Sequence, residues 1–252
     1  MDEIADGVFV GTADRYTTTT TVVVGDDGGC LLIDPAVTVA DLAALARWLT
    51  ARGLRPVAGW STHPHWDHLL WSPAFGQAPR YATPRAVAVA ARELPGLITG
   101  VEDEAPGHDL TLFARVEPLV GREIDWAGPR AVVYPHDAHA PGHGAVLLPD
   151  TGVLIAGDML SDLEIPLLDL ESADPFSGYR QGLELLASVP GVRVLVPGHG
   201  HVGDQAEFGR RVDADRGYLD ATEAGEDVAD PRLSQEWLRT EHARQRDRRP
   251  HP

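Results

Sequence analysis

Three imidazoles and one carboxylate fall within six consecutive positions, His63-Pro64-His65-Trp66-Asp67-His68. Neutral imidazole and carboxylate are the ligands that Zn²⁺ takes when no thiolate is offered. His63 and His65 stand two apart, so at the end of a strand they project to one side. Asp67 and His68 fall at a helix start and turn the other way. One short segment can thus feed two ions lying side by side.

Three more ligand-type residues follow, each beside a glycine: His143 in Ala140-Pro141-Gly142-His143-Gly144, Asp158 after Val153-Leu154-Ile155-Ala156-Gly157, and His199 after Val194-Leu195-Val196-Pro197-Gly198. The last two read as strands ending on a polar residue in a tight turn, a rigid support for a ligand. Seven candidates, His63, His65, Asp67, His68, His143, Asp158 and His199, fill two sites of three ligands each with one carboxylate shared. Such sites keep a position open for water, the mark of catalytic zinc.

The elements that must position these residues read as an α/β layered sandwich. Strands are predicted at Val8–Val10, Thr20–Gly25, Cys30–Asp34, Pro56–Ser61, Ala131–Tyr134, Ala145–Leu148, Val153–Ala156 and Val192–Val196. Asp26-Asp27-Gly28-Gly29 is a hairpin turn. Helical spacing runs over Val39–Arg52, Pro84–Leu94, Gly178–Ala187, Asp204–Ala224 and Pro231–Arg244. Gly100–Gly107 reads as a polar loop. Residues 1–225 form the expected main domain, which carries all seven candidate ligands, and 226–252 a C-terminal helix with a disordered tail carrying Arg244, Arg246, Arg248 and Arg249.

At 252 residues the chain suits one large domain with an ample core. A net charge of −17 argues against nucleic-acid or anionic-membrane partners, which call for basic patches. The single cysteine, Cys30, excludes an internal disulfide and reads as a small core residue. Met1–Asp6 lacks the basic and apolar regions of a signal peptide, and no apolar run reaches membrane-spanning length, so a cytoplasmic location is expected.

The motif set His-x-His-x-Asp-His, Pro-Gly-His, Gly-Asp and Pro-Gly-His-Gly, with steps of 75, 15 and 41 residues from His68 through His143 and Asp158 to His199, resembles the metallo-β-lactamase superfamily of binuclear metallohydrolases. The resemblance spans about Ile4 to Leu219. It implies a four-layer αββα sandwich, two β-sheets face to face with helices outside and the metals at one edge. It implies His63, His65 and His143 at the first ion, Asp67, His68 and His199 at the second, and Asp158 bridging them. Two Zn²⁺ are the expected cofactors, with iron or manganese as alternatives.

The implied reaction is attack by a metal-bridging hydroxide on an activated acyl bond of a small molecule: a lactone, thioester or ester. Asp67 and Asp158 are the expected catalytic carboxylates, Asp67 orienting the hydroxide. The alternatives are a mononuclear iron enzyme resembling persulfide dioxygenases and a β-lactamase. The aspartate at position 158 counts against the β-lactamase, because true β-lactamases of the family generally carry cysteine or another residue there. Trp66, Trp71, His139, Met159 and His201 are the candidate substrate contacts. Oligomeric state is left open by the sequence.

Overall fold

The computed structural model describes residues 1–248. Two mixed sheets lie face to face. The first runs in chain order: β1 (Asp2–Ala5), β2 (Val8–Thr12), β3 (Thr19–Val24), β4 (Gly29–Ile33), β5 (Arg55–Trp60), β6 (Arg80–Ala82) and β7 (Glu117–Pro118). The second is β8 (Val132–His136), β9 (His143–Leu148), β10 (Val153–Gly157), β11 (Val194–Pro197) and β12 (Gly203–Asp204), ordered β12-β11-β10-β9-β8. Helix α1 (Val39–Ala51) and α2 (Pro84–Glu104) cover the first sheet; α3 (Pro175–Ala187), α4 (Gln205–Ala224) and α5 (Glu236–Asp247) cover the second.

The period of two along the strands builds these layers. In β4, Leu31 and Ile33 point between the sheets, while Cys30 and Leu32 point out beneath α1. In β10, Val153 and Ile155 face inward, and Leu154 and Ala156 pack under α3 and α4. Both strands are buried on both faces, which explains their unbroken apolar runs.

The strand directions place the site. β4, β5, β6 and β7 are mutually parallel, and β10 is parallel to β11. Their C-terminal ends release Asp34, the His63–His68 loop, Asp158 and His199 at one edge of the sandwich. Crevices at the carboxyl ends of parallel strands are where α/β sheets bind ligands.

Two segments differ from the expected elements. α2 continues through Pro95 to Glu104, so most of the expected 100–107 loop is helical. Leu94, Leu97, Ile98 and Val101 pack into the α1–α2 layer, and that burial outweighs the hydrogen bond lost at proline. At the other end, α5 carries Arg244 and Arg246 in its last turn, with Arg248 at its cap; Arg249 lies outside the described residues. Leu238 is fully buried, and Gln245 Oε1 accepts from the Leu168 amide at 3.1 Å, so α5 is anchored to the second sheet's helical layer. Among the described residues no helix is long and apolar enough to cross a membrane.

Candidate metal centre

β5 delivers Thr62 and His63 into the edge of the sandwich, and Asp34 braces them from the end of β4. Its carboxylate accepts from the Thr62 amide at 2.9 Å and the Thr62 hydroxyl at 2.6 Å. It also lies 2.9 Å from His68 Nδ1, fixing that proton and turning Nε2 toward the site. Asp34 holds a left-handed backbone (φ 47°), as do Tyr16, Thr17 and His139, four of six such non-glycine residues among those described. Sparsely populated backbone geometry concentrates where structure is held for function.

Two groups of donor atoms result. Atoms of His63, His65, His139 and Asp158 lie within 4.8 Å of one another, and so do those of Asp67, His68 and His199. In the first group His63 Nε2 is 3.0 Å from His65 Nδ1, which is 3.2 Å from His139 Nε2. Asp158 Oδ2 is 3.4 Å from both His63 Nε2 and His139 Nε2. In the second, Asp67 Oδ2 is 3.5 Å from His68 Nε2 and 3.3 Å from His199 Nε2. Asp158 adjoins this group too, with Oδ1 3.2 Å from His68 Nε2 and Oδ2 3.3 Å from His199 Nε2. Donors about 2.0–2.1 Å from a tetrahedral ion stand roughly 3.3 Å apart, so both groups have the right size.

The buried atoms support a cation as well. His68 Nε2 and Asp158 Oδ1 have no hydrogen-bond partner among the described residues, and a cation between them satisfies both. Backbone acceptors orient His139 and His199, while the Thr62 hydroxyl lies 3.0 Å from His63 Nδ1. His139 Nδ1 lies 3.0 Å from the Leu167 carbonyl, and His199 Nδ1 lies 3.1 Å from that of Tyr16 and 3.2 Å from the Thr18 hydroxyl.

Charge follows the same division. Burial drives His63 well below its ordinary value, aided by His68; burial and His139 take His65 down to about 3. Neutral imidazoles of this kind are ready ligands. Burial also opposes protonation of His68 and His199, but Asp158 and Asp67 outweigh it and hold both well above the usual range. The same contacts overcome the upward push of burial on Asp67, held down at about 2, and on Asp158, held well below the usual carboxylate range.

His139 stands where His143 was expected. His143 Nδ1 turns to the Ala138 carbonyl at 3.3 Å, and its ring packs on His136 with centroids 4.6 Å apart. Its Nε2 abuts Gly157, where an added Cβ would come within 2.1 Å. Gly157 therefore keeps its φ of +57° and its missing side chain. His143 begins β9, one strand residue below the β8–β9 turn, and that turn lifts His139 to the metal edge instead. The repeated pattern His-Ala-Pro-Gly-His offered two histidines four apart, and only the turn geometry separates them.

A cleft of about 420 Å³ opens over the donors, with Tyr16, Trp66, Glu104, Glu164, Leu167 and Trp237 in its walls. Of the expected substrate contacts, Trp66 and His139 line it. Trp71 does not: its ring is buried in the α1–α2 layer, where its indole donates to the Gly76 carbonyl. Met159 is fully buried beneath α3 and α4. His201 is exposed and bound to Asp162 at 2.7 Å. Asp34, Glu164 and Trp237 were not singled out from sequence. Asp34 had a signal, a carboxylate closing the buried run Leu31-Leu32-Ile33; Trp237 had none, since only the packing of α5 brings it to the cleft.

A family profile described as the metallo-beta-lactamase superfamily matches residues 14–199, well over half the chain. The chain belongs to the metallo-β-lactamase superfamily. Solved structures share the fold. A metallo-β-lactamase family protein from Thermus thermophilus is 23% identical, with 88% of this chain and 84% of that one aligned at a TM-score of 0.66. A β-lactamase domain protein from Burkholderia ambifaria is 18% identical, covering 88% and 77% at 0.68. The protein TTHA1623, solved in a di-iron-bound form, is 26% identical, covering 81% and 98% at 0.60. No curated protein sequence matches. Members of the superfamily are metal-dependent hydrolases, and the histidine–aspartate cluster gives this chain the binuclear site of such an enzyme.

Proposed function

We propose that this enzyme hydrolyses an activated acyl bond, a lactone, thioester or ester of a small molecule, at a pair of zinc ions. The observation that carries the reading is the position of Asp158 against both donor groups, 3.4 Å from His63 on one side and 3.2 Å from His68 on the other. In this reading His63, His65 and His139 would hold one ion, Asp67, His68 and His199 the other, and Asp158 would serve both. Zinc, when bound, supplies a water that ionises near neutral pH and polarises the acyl oxygen. His139 takes the ligand role expected of His143.

The protein's own groups supply orientation and proton handling. Asp34 holds the His68 imidazole in one tautomer, and the carbonyls of Leu167 and Tyr16 do the same for His139 and His199. Asp67 lines the cleft, and with Oδ2 facing the imidazoles its other carboxylate oxygen is able to orient the attacking water and carry its proton to the leaving group. Trp66 and Leu167 give the acyl chain an apolar wall and keep bulk water from the reacting carbon.

An ester or lactone is favoured over a β-lactam. No arginine lines the cleft among the described residues and the chain has no lysine, so the cleft itself offers a β-lactam carboxylate no cation. A panel of lactones, acyl thioesters, aryl esters and a chromogenic β-lactam, assayed with zinc-loaded protein, tests the reading. Turnover of an acyl ester, thioester or lactone above the β-lactam is expected; turnover of the β-lactam alone would overturn it. Iron is the second reading for the metal, favoured by the di-iron form of TTHA1623, and metal analysis of protein grown without added zinc separates the two.

A further inference from the structure

Glu164 is a carboxylate in the cleft wall that the hydrolytic machinery leaves unused. Among the described residues nothing hydrogen-bonds to its side chain, although burial pushes its carboxyl up to about 7. Its position is nonetheless fixed. The Ser161 hydroxyl accepts from the amides of Leu163 and Glu164 and donates to the His199 carbonyl. The Arg232 guanidinium, buried against Asp215 at 2.6 Å, donates to the carbonyls of Ser161 and Glu164. Arg232 thus ties the loop carrying Glu164 to α4 and to the turn that leads into α5 and Trp237. A buried arginine with this many partners holds both cleft residues in one place.

Three aromatic rings share the same cleft: Tyr16, Trp66 and Trp237. Tyr16 is 45% and Trp237 44% exposed; the Arg15 guanidinium lies 4.8 Å over one face of the Tyr16 ring, so the other face and the Trp237 indole are what a ligand can meet. The arginines beside the mouth are already matched. Arg15 binds Glu104 and the Tyr16 hydroxyl, and Arg244, on the adjoining groove, pairs with Glu241 at 2.9 Å. Glu164 is half-buried in the cleft wall, so its unpaired carboxylate is open to a cation entering the cleft, and ring faces attract a cation in the same place. The net charge of −17 draws cations toward the protein as a whole.

We propose that the cleft selects substrates bearing a cationic, ammonium-type group a few bonds from the scissile carbonyl, paired by Glu164 and flanked by Tyr16, Trp66 and Trp237. The proposal rests on the acyl-hydrolase reading of the same site and names the chemistry of the substrate it takes. The Glu164 charge, in the same cleft as the donors, offsets the repulsion a metal pair would exert on that cation.

Isothermal titration calorimetry of the zinc-loaded protein with choline and with 3,3-dimethyl-1-butanol, its uncharged carbon isostere, isolates the charge. Choline is expected to bind about tenfold more tightly, with Glu164→Gln removing the difference and Trp237→Leu reducing it severalfold. A parallel assay compares hydrolysis of acetylthiocholine with that of the matching S-(3,3-dimethylbutyl) thioacetate. The cationic ester should have the higher kcat/KM through a lower KM, again dependent on Glu164. Equal binding of the two alcohols, or a preference that survives Glu164→Gln, overturns the proposal. A Glu164-dependent preference for choline with neither thioester cleaved would instead overturn thioester hydrolysis and leave cation recognition standing.

Discussion

The two sheets contribute to the metal centre in different ways. The first supplies four donors from one six-residue loop, His63 to His68, braced by the Asp34 carboxylate at the end of the neighbouring strand. The second supplies His139, Asp158 and His199 singly, from three separate strand ends. Backbone carbonyls rather than a carboxylate orient its two imidazoles. A ligand cluster contiguous in sequence needs one rigid support. Dispersed ligands need a fold, and each depends on local turn geometry that a motif alone does not settle.

The largest effect should come from the residue at which the halves meet. Asp158→Ala removes the charge that adjoins both donor groups and should cut hydrolysis by on the order of 10³-fold or more, because electrostatic stabilisation of several kcal/mol goes with the ion it loosens. Asp158→Asn should be nearly as inactive. Thermal stability of the metal-free protein should change far less than activity, since the layers are held by the cores between and outside the sheets. Full activity in Asp158→Ala would separate the halves and end the bridging assignment.

A sharper comparison lies within the second half. His139→Ala should weaken one metal site and abolish most activity. His143→Ala should retain both ions and lose stability instead, by about 1–3 kcal/mol for a buried side chain removed from a packed environment. Zinc titration and chemical denaturation of the two variants distinguish the outcomes. The opposite result would put His143 at the metal and His139 in a supporting place.

That pair also marks how far the sequence reached. The short apolar stretch Val8–Val10 and the two unbroken apolar runs of β4 and β10 made the layers legible, because each strand's burial is a local pattern. The His63–His68 loop was legible for the same reason. His139 and His143 were not separable, since the difference is a β8–β9 turn that lifts one and buries the other. The long reach of α2 past Pro95 was hidden because tertiary burial of Leu97, Ile98 and Val101 decides it. Trp237 reaches the cleft only through the anchoring of α5 by Leu238 and Gln245, contacts between segments far apart in the chain.

The first half has a test of its own. Asp34→Asn keeps the shape of the side chain but removes the negative charge facing His68 Nδ1. Metal affinity or activity should fall about 10–100-fold, the usual result of disturbing a group that orients a ligand. No loss would mean that the Thr62 backbone, not the carboxylate, sets the loop.

The smallest effect concerns the outer face of the same sheet. Cys30 is fully buried and burial pushes its thiol up to about 12, so it should resist a thiol reagent in the native protein and react once denaturant is added. Rapid native labelling would show that β4 opens more readily than its packing implies.

The central claim is a metal pair on either side of Asp158 with His139 among its ligands. Anomalous diffraction at the zinc edge, from crystals of the zinc-loaded protein, tests it most directly. The account predicts two peaks flanking the Asp158 carboxylate. One should have nitrogens of His63, His65 and His139 at about 2.0–2.2 Å, and the His143 ring should lie outside both spheres. A single peak, or a metal bound by His143 Nε2 with His139 turned away, would contradict it.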